Sequence, residues 1–379
     1  MPGSRGKAAA VPEPSRAIDH RRLHRILRRL LDIYSPYGKE EAAVDYLAGV
    51  FRRAGVACTL QEVDENRANL LVLPDHGDLE LLLVGHLDTV PAYDLENYGY
   101  VERDALVYGL GAADMKGGCA ALVEACLAMW AAGPPLPPVG LALVVGEEEE
   151  GDGARRLVEE YHAPWAIIGE PTDLMVCLTH YGYLESQVRA RGIRRHASLA
   201  RPGDNPVEAV LRLLLEVTGF LHQTHPEVVA NIRDILSSPE GFVVPEMCEA
   251  WIDCHLPPDT ALGLLTTELE ELAAVRQAAT PQLDLDLLFT TIHHGYELPA
   301  KGRLVEALEG AFHRLEMSWQ PAAFRSHSDA NLLWAAGIKP VLLGPGRLQE
   351  AHAPEEWVPW AQVETAARIY LETIADFTR

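Results

Sequence analysis

Apolar positions along this chain follow a helical period first and a strand period later. Leu23, Ile26, Leu27, Leu30 and Tyr34 recur at helical spacing, which predicts an amphipathic helix over 22–34 with a basic outer face. The segment YSPYG breaks the pattern, and Ser35 is expected to cap a second helix carrying Val44, Leu47, Val50 and Phe51. Short apolar runs of strand length follow: ANLLVLP, LELLLVG, VGLALVVG and WAIIGE, several of them separated by helical stretches such as 119–130 and 154–161. Near-continuous apolar strands alternating with helices predict an α/β fold built on a mostly parallel sheet covered on both faces.

From Gly182 the texture changes. GYLESQVRARG alternates as a strand with one polar face does, a helix is expected from Pro206 to Thr218, and CEAWIDCHL reads as another strand. ALGLLTTELEELAAV predicts a helix and LDLDLLFTTI a last alternating strand. Beyond His293 the helical run RLVEALEGAFHRL and the apolar run KPVLLGPG return to the earlier style. The economical layout is a disordered leader over 1–20 and a catalytic domain in two parts, 21–181 and 292–379. Between these parts sits a smaller α+β lid, 182–291.

The length of 379 residues suits about two domains, and 48% apolar with 23% charged residues is ordinary for a soluble globular chain. The net charge of −23 argues against a nucleic-acid partner, because binding phosphates requires basic surface. No apolar run approaches the length of a membrane span, and AAAV near the N-terminus is too short for a signal peptide. The cysteines are scattered without a CxxC pair, as expected of reduced thiols in a cytoplasmic protein.

The chemistry gathers where apolar runs stop. LLLVGHLDTVP ends in His86 and Asp88, GLGAADMKGG carries Asp114, VVGEEEEGDG carries Glu147 to Glu150, IIGEPTD carries Glu170, and GPGRLQEAHAPEE carries His352. A lone Asp in a glycine-rich loop is more often a turn residue, and a Glu run more often a solvated helix start. Repetition changes that weighing, since three successive strands end in acidic or imidazole groups on the edge where α/β sheets bind ligands. Converging carboxylates repel one another unless a cation lies among them. Two imidazoles with carboxylates and no thiolate suit zinc, with cobalt or manganese as substitutes. The donors are too many for one tetrahedral ion and fit two ions about 3.5–4 Å apart that share a bridging carboxylate.

In these motifs the sequence resembles the di-zinc aminoacylases and peptidases that include acetylornithine deacetylase, succinyl-diaminopimelate desuccinylase and glutamate carboxypeptidase. GHLDTVP, GLGAADMKGGCAAL, GEPTDL and GPG with AHAPEE occur in that family's order. The resemblance implies a catalytic α/β domain with an inserted lid that dimerises. It also implies His86, Glu148, Glu170 and His352 as terminal ligands, Asp114 as the bridge, and Asp88 as acceptor for the second nitrogen of His86. Glu147 would be the general base, although a one-residue shift would make the base and ligand Glu148 and Glu149. The family carries Asp before that pair, where this chain has Gly146. His196, in GIRRHASLARPGDNP, would donate to the developing oxyanion, often from the partner subunit, and Asp329 would support the site. His255 stands where the family's lid strand ends in a carboxylate-gripping Arg, so Arg325 or Arg347 is expected to take that role. The implied activity is hydrolysis of an N-acyl amino acid by a homodimer, with a metallocarboxypeptidase or dipeptidase as the alternative and a non-catalytic binding relative as the remote one.

Overall fold

In the computed structural model the described residues are 17–74, 78–133, 136–237 and 241–377. The leader expected over 1–20 falls on residues 1–16, outside the described residues, except for 17–20. The chain opens on helices α1 (His20–Leu31) and α2 (Glu41–Arg53), then strands β1 (Thr59–Glu62), β2 (Ala68–Val72) and β3 (Leu81–His86). After the short strand β4 (Leu106–Tyr108) come α3 (Gly117–Ala131), β5 (Val139–Val144), α4 (Asp152–Glu160) and β6 (Trp165–Ile168). The middle stretch contains β7 (Gly182–Arg191), α5 (Pro206–Thr224), β8 (Val229–Ser237), β9 (Met247–Leu256), α6 (Leu262–Ala279) and β10 (Asp284–His293). Then follow α7 (Arg303–Arg314), α8 (Ala330–Ala335), β11 (Lys339–Leu342), β12 (Trp357–Pro359) and α9 (Trp360–Asp376).

Two compact units result: one holds Met1–Cys177, Pro299–Ala322 and Ala336–Arg379, the other Leu178–Leu298 and Ala323–Ala335. The sheet of the first unit runs β1-β2-β5-β3-β6-β11. Strands β5, β3, β6 and β11 are mutually parallel, while β1 and β2 are antiparallel at one edge. Every residue of β3 and β5 is buried, as a sheet covered on both faces requires. Helix α3 packs against β3, with α1 and α9 beside it, while α4 packs against β5 and α2 against β2. The parallel register sets His86 level with Val144, and Ile168 level with Val84. Three strands therefore stop within two residues of one another on one edge.

The second unit is an antiparallel sheet, β8-β9-β7-β10. Buried and half-buried residues alternate along β7, and Leu184, Val188 and Ala190 meet Leu213, Val217, Leu265 and Leu269 of α5 and α6 in its core. This unit begins at Leu178 and extends to Leu298, past the expected limits of 182 and 291, because the strand Cys177–His180 pairs with Tyr296–Glu297. Residues Ala323–Ala335 also belong to it, although the sequence reading put them in the catalytic domain. Tyr181 N–H donates to Phe324 O, and Asn331 donates to the carbonyls of Tyr181 and His294.

Local details also differ from the sequence reading. Helix α1 starts at His20 because Asp19 accepts from the N–H groups of Arg21 and Arg22. Ser35 caps nothing; its buried hydroxyl donates to Leu87 O, and α2 begins only after Glu40. Among the described residues no helix is long and apolar enough to cross a membrane, and all six cysteines are free thiols.

Candidate metal centre

His86 ends β3, and its Nδ1 lies 3.1 Å from the carbonyl oxygen of Asp88. Donation from Nδ1 to that carbonyl leaves Nε2 as the nitrogen free for an ion. Nε2 lies 3.1 Å from Asp114 Oδ1 and 3.9 Å from a carboxylate oxygen of both Glu147 and Glu170. From the other side, His352 Nε2 lies 3.1 Å from Glu148 Oε2 and 3.6 Å from Asp114 Oδ2. The two oxygens of Asp114 thus face different imidazoles. Donor atoms of His86, Asp114 and Glu170 lie within 4.8 Å of one another, and so do those of Asp114, Glu148 and His352. Ligands bound about 2.0–2.2 Å from a shared ion come to rest roughly 3–4 Å apart. The donor set therefore fits divalent cations that share Asp114.

Of the four consecutive glutamates, Glu147 and Glu148 enter this cluster, and Glu149 and Glu150 are exposed. The carboxylate of Asp88 is placed differently from the expectation that it receives His86. Its Oδ1 is 3.7 Å from Nδ1, while its Oδ2 accepts the backbone N–H of Glu148 at 2.8 Å. Asp88 thus pins the acidic loop, and its own carbonyl orients His86. Gly146 sits in the left-handed region at φ +79°, and a Cβ there would collide with Asp152. Asp152 in turn pairs with Arg67, so the family's Asp before the base–ligand pair has no room in this chain. Gly118 allows α3 to run against the carbonyl of Gly169, where any side chain would overlap.

The charges explain why cations belong here. Burial alone would push the His86 imidazole down, but Asp114, Glu147, Asp88 and Glu170 hold it well above the histidine range. Burial raises Glu148, and Asp114 beside it adds to the rise. The hydrogen bond to Glu148 lifts His352 to about 9, and its backbone stands at φ +57°, a conformation uncommon outside glycine. A divalent ion would offset the mutual repulsion of these carboxylates.

The remaining predicted residues lie apart from this cluster or in the other unit. Arg347 is exposed and bonded to Asp173 at 3.0 Å. His196 is exposed on the second unit, on a two-residue strand paired with Val243–Val244, with Nδ1 2.8 Å from Ser198 Oγ. His255 is half-buried against the Tyr183 ring, burial pushes its pKa down, and its Nδ1 makes no hydrogen bond. Arg325 is exposed and Asp329 buried, both on the second unit. The sequence reading missed Glu356, whose buried carboxylate receives the N–H groups of Gly111, Ala113 and Asp114. It also missed Lys116, fully buried, with Nζ donating to Ile33 O at 2.9 Å and a pKa that burial lowers to about 8.

Imidazoles and carboxylates converging on the C-terminal edge of a parallel sheet define a candidate divalent-metal centre. Comparison with known proteins narrows the class. The model of Peptidase family M20/M25/M40 matches residues 82–376, and the chain belongs to this family of metal-dependent amide hydrolases. It is 30% identical over 356 residues to a Klebsiella pneumoniae protein named acetylornithine deacetylase, covering 89% of this chain and 91% of that one. A Proteus mirabilis protein of the same name is 27% identical over 89% and 90% of the two chains. The fold matches a Staphylococcus aureus tripeptidase at TM-score 0.77 and 20% identity, over 96% of this chain and all of that one. It also matches a Bacillus subtilis protein described as a dinuclear metal binding peptidase from the M20 family, at TM-score 0.68 and 13% identity, over 94% and 97%.

Proposed function

We propose that this chain is a cytoplasmic, homodimeric di-metal deacylase that hydrolyses the amide bond of N-acyl amino acids. One observation carries the reading: Asp114 turns one oxygen toward His86 and the other toward His352, with Glu170 beside His86 and Glu148 within reach of both imidazoles. In this reading His86 and Glu170 would hold one ion, Glu148 and His352 the other, and Asp114 would serve both. Two zinc ions, or cobalt or manganese in their place, would supply a hydroxide nucleophile and polarise the acyl carbonyl. Glu147, with a carboxylate oxygen 3.9 Å from His86 Nε2, is the general base. It takes the proton of the attacking water and delivers it to the leaving nitrogen. His196 donates to the oxyanion of the tetrahedral intermediate.

The curated relatives named acetylornithine deacetylase favour an acyl amino acid over a peptide. His255, whose pKa burial lowers, is a poor substitute for a guanidinium fork. Arg325 is the better candidate for the substrate carboxylate, since Arg347 is already bonded to Asp173. The test is a panel of N-acetyl- and N-succinyl-amino acids and di- and tripeptides with mass-spectrometric product analysis, run on the parent protein and on Glu147→Gln. Deacylation that falls roughly 100- to 10,000-fold in Glu147→Gln with metal content unchanged supports the reading. Turnover of peptides alone would make the protein a peptidase. Full activity in Glu147→Gln would remove Glu147 as the base.

A further inference from the structure

We propose that Glu356 is a positioning residue that locks the loop carrying Asp114 against the segment carrying His352, so that Asp114 presents an oxygen to each ion. The inference rests on the reading of Asp114 as the shared ligand. Glu356 Oε2 accepts from Gly111 N–H at 2.7 Å, and Oε1 accepts from Ala113 and Asp114 N–H at 2.8 and 2.9 Å. Its backbone carbonyl accepts from Gly109 N–H at 3.1 Å. The strand just beyond, β12, pairs with β4, so Trp357 and Val358 oppose Tyr108 and Val107. One side chain therefore ties the Asp114 loop to a segment that begins four residues earlier at His352.

The chemistry requires a carboxylate. Three convergent N–H donors need an acceptor with two oxygens and no hydrogen of its own. Glutamine would turn an NH2 group against one of these donors, and aspartate would fall a methylene short. Glu356 is only 4% exposed, so water offers little substitute for a lost partner. The bond to Asp114 N–H fixes the peptide plane from which the bridging carboxylate projects, so a small rotation there would move both of its oxygens. Glu355, next in sequence, is exposed and makes no comparable claim.

The test titrates chelator-treated protein with Co2+ and follows stoichiometry, dissociation constants and visible absorption. The parent protein is expected to take two equivalents. Glu356→Gln and Glu356→Asp are expected to bind the second equivalent about 10- to 100-fold more weakly, with altered cobalt bands. Glu355→Gln is expected to match the parent. A purely space-filling role would be satisfied by glutamine, so two equivalents at parental affinity and spectrum in Glu356→Gln would overturn the proposal. If Glu356→Gln does not fold, parental binding in Glu356→Asp overturns it equally. Fewer than two equivalents in the parent protein would instead defeat the di-metal reading beneath it.

Discussion

Glu147 and Glu148 are adjacent in sequence and both lie within reach of His86, but only Glu148 also pairs with His352, at 3.1 Å. Glu148→Gln should therefore lower bound metal from two ions toward one, while Glu149→Gln should leave it unchanged; metal analysis of the purified variants decides this. Equal metal content in parent and Glu148→Gln would remove Glu148 from the ligand set. Gly146 is a second residue-level constraint. Its φ of +79° and the nearby Asp152 carboxylate both oppose a Cβ. Gly146→Ala should cost more than about 1 kcal/mol in denaturant unfolding, and no loss would mean that the turn relaxes freely. His86, Asp114, the Glu147–Glu148 pair and Glu170 were legible because each follows an apolar run or a glycine-rich turn, whereas His352, preceded by RLQEA, rested on the motif resemblance. Glu356 was not, since AHAPEEWV offers two adjacent glutamates and only the fold buries one. The place of Asp88 beside His86 follows from strand geometry, but the backbone N–H that its carboxylate takes belongs to a distant loop, which no local pattern reveals.

Among elements, the strands of the first unit were legible because burial on both faces forces unbroken apolar runs such as Leu81–Gly85. Helix α9 escaped notice: it starts directly after Pro359 with no side-chain cap, and alanines and threonines dilute its apolar stripe. Strand β8 escaped for the opposite reason. It is an edge strand, largely exposed, with an irregularity between Ile232 and Asp234. The strand Cys177–His180 allows a prediction about pH. His180 is fully buried, stacked on Tyr296 and Phe324, with Nδ1 2.7 Å from Tyr181 O and Nε2 2.9 Å from Ser328 Oγ. Burial lowers its pKa to about 3. Below the unfolded value of about 6.5 the unfolded chain gains a proton that the folded chain cannot accept. Stability is therefore complete above pH 6.5 and declines as pH falls from there toward 3. Between pH 7.5 and 5.5 this one group should remove about 1 kcal/mol of stability. His180→Gln should flatten that part of the pH dependence in thermal melts; an unchanged slope would assign it to other groups.

At the scale of the whole molecule, a net charge of −23 and a buried cluster of carboxylates oppose compaction together, but they respond to different agents. Surface repulsion is screened within about 8–10 Å at ordinary salt, whereas buried charges are screened far less. A divalent ion acts on the buried set alone, and one held at a hundred times its dissociation constant stabilises the folded state by about 2.7 kcal/mol. Removal of metal by a chelator should therefore lower the melting temperature of the protein by several degrees. Added sodium chloride should raise the curves of both metal-free and metal-loaded protein without closing the gap between them, and zinc or cobalt should restore it. Calorimetry with and without chelator at low and high salt separates the two effects. If salt alone brought metal-free protein to the melting temperature of the loaded form, the carboxylates of Asp114, Glu148 and Glu170 would not be acting as a buried cation site. The instability would then belong to the acidic surface.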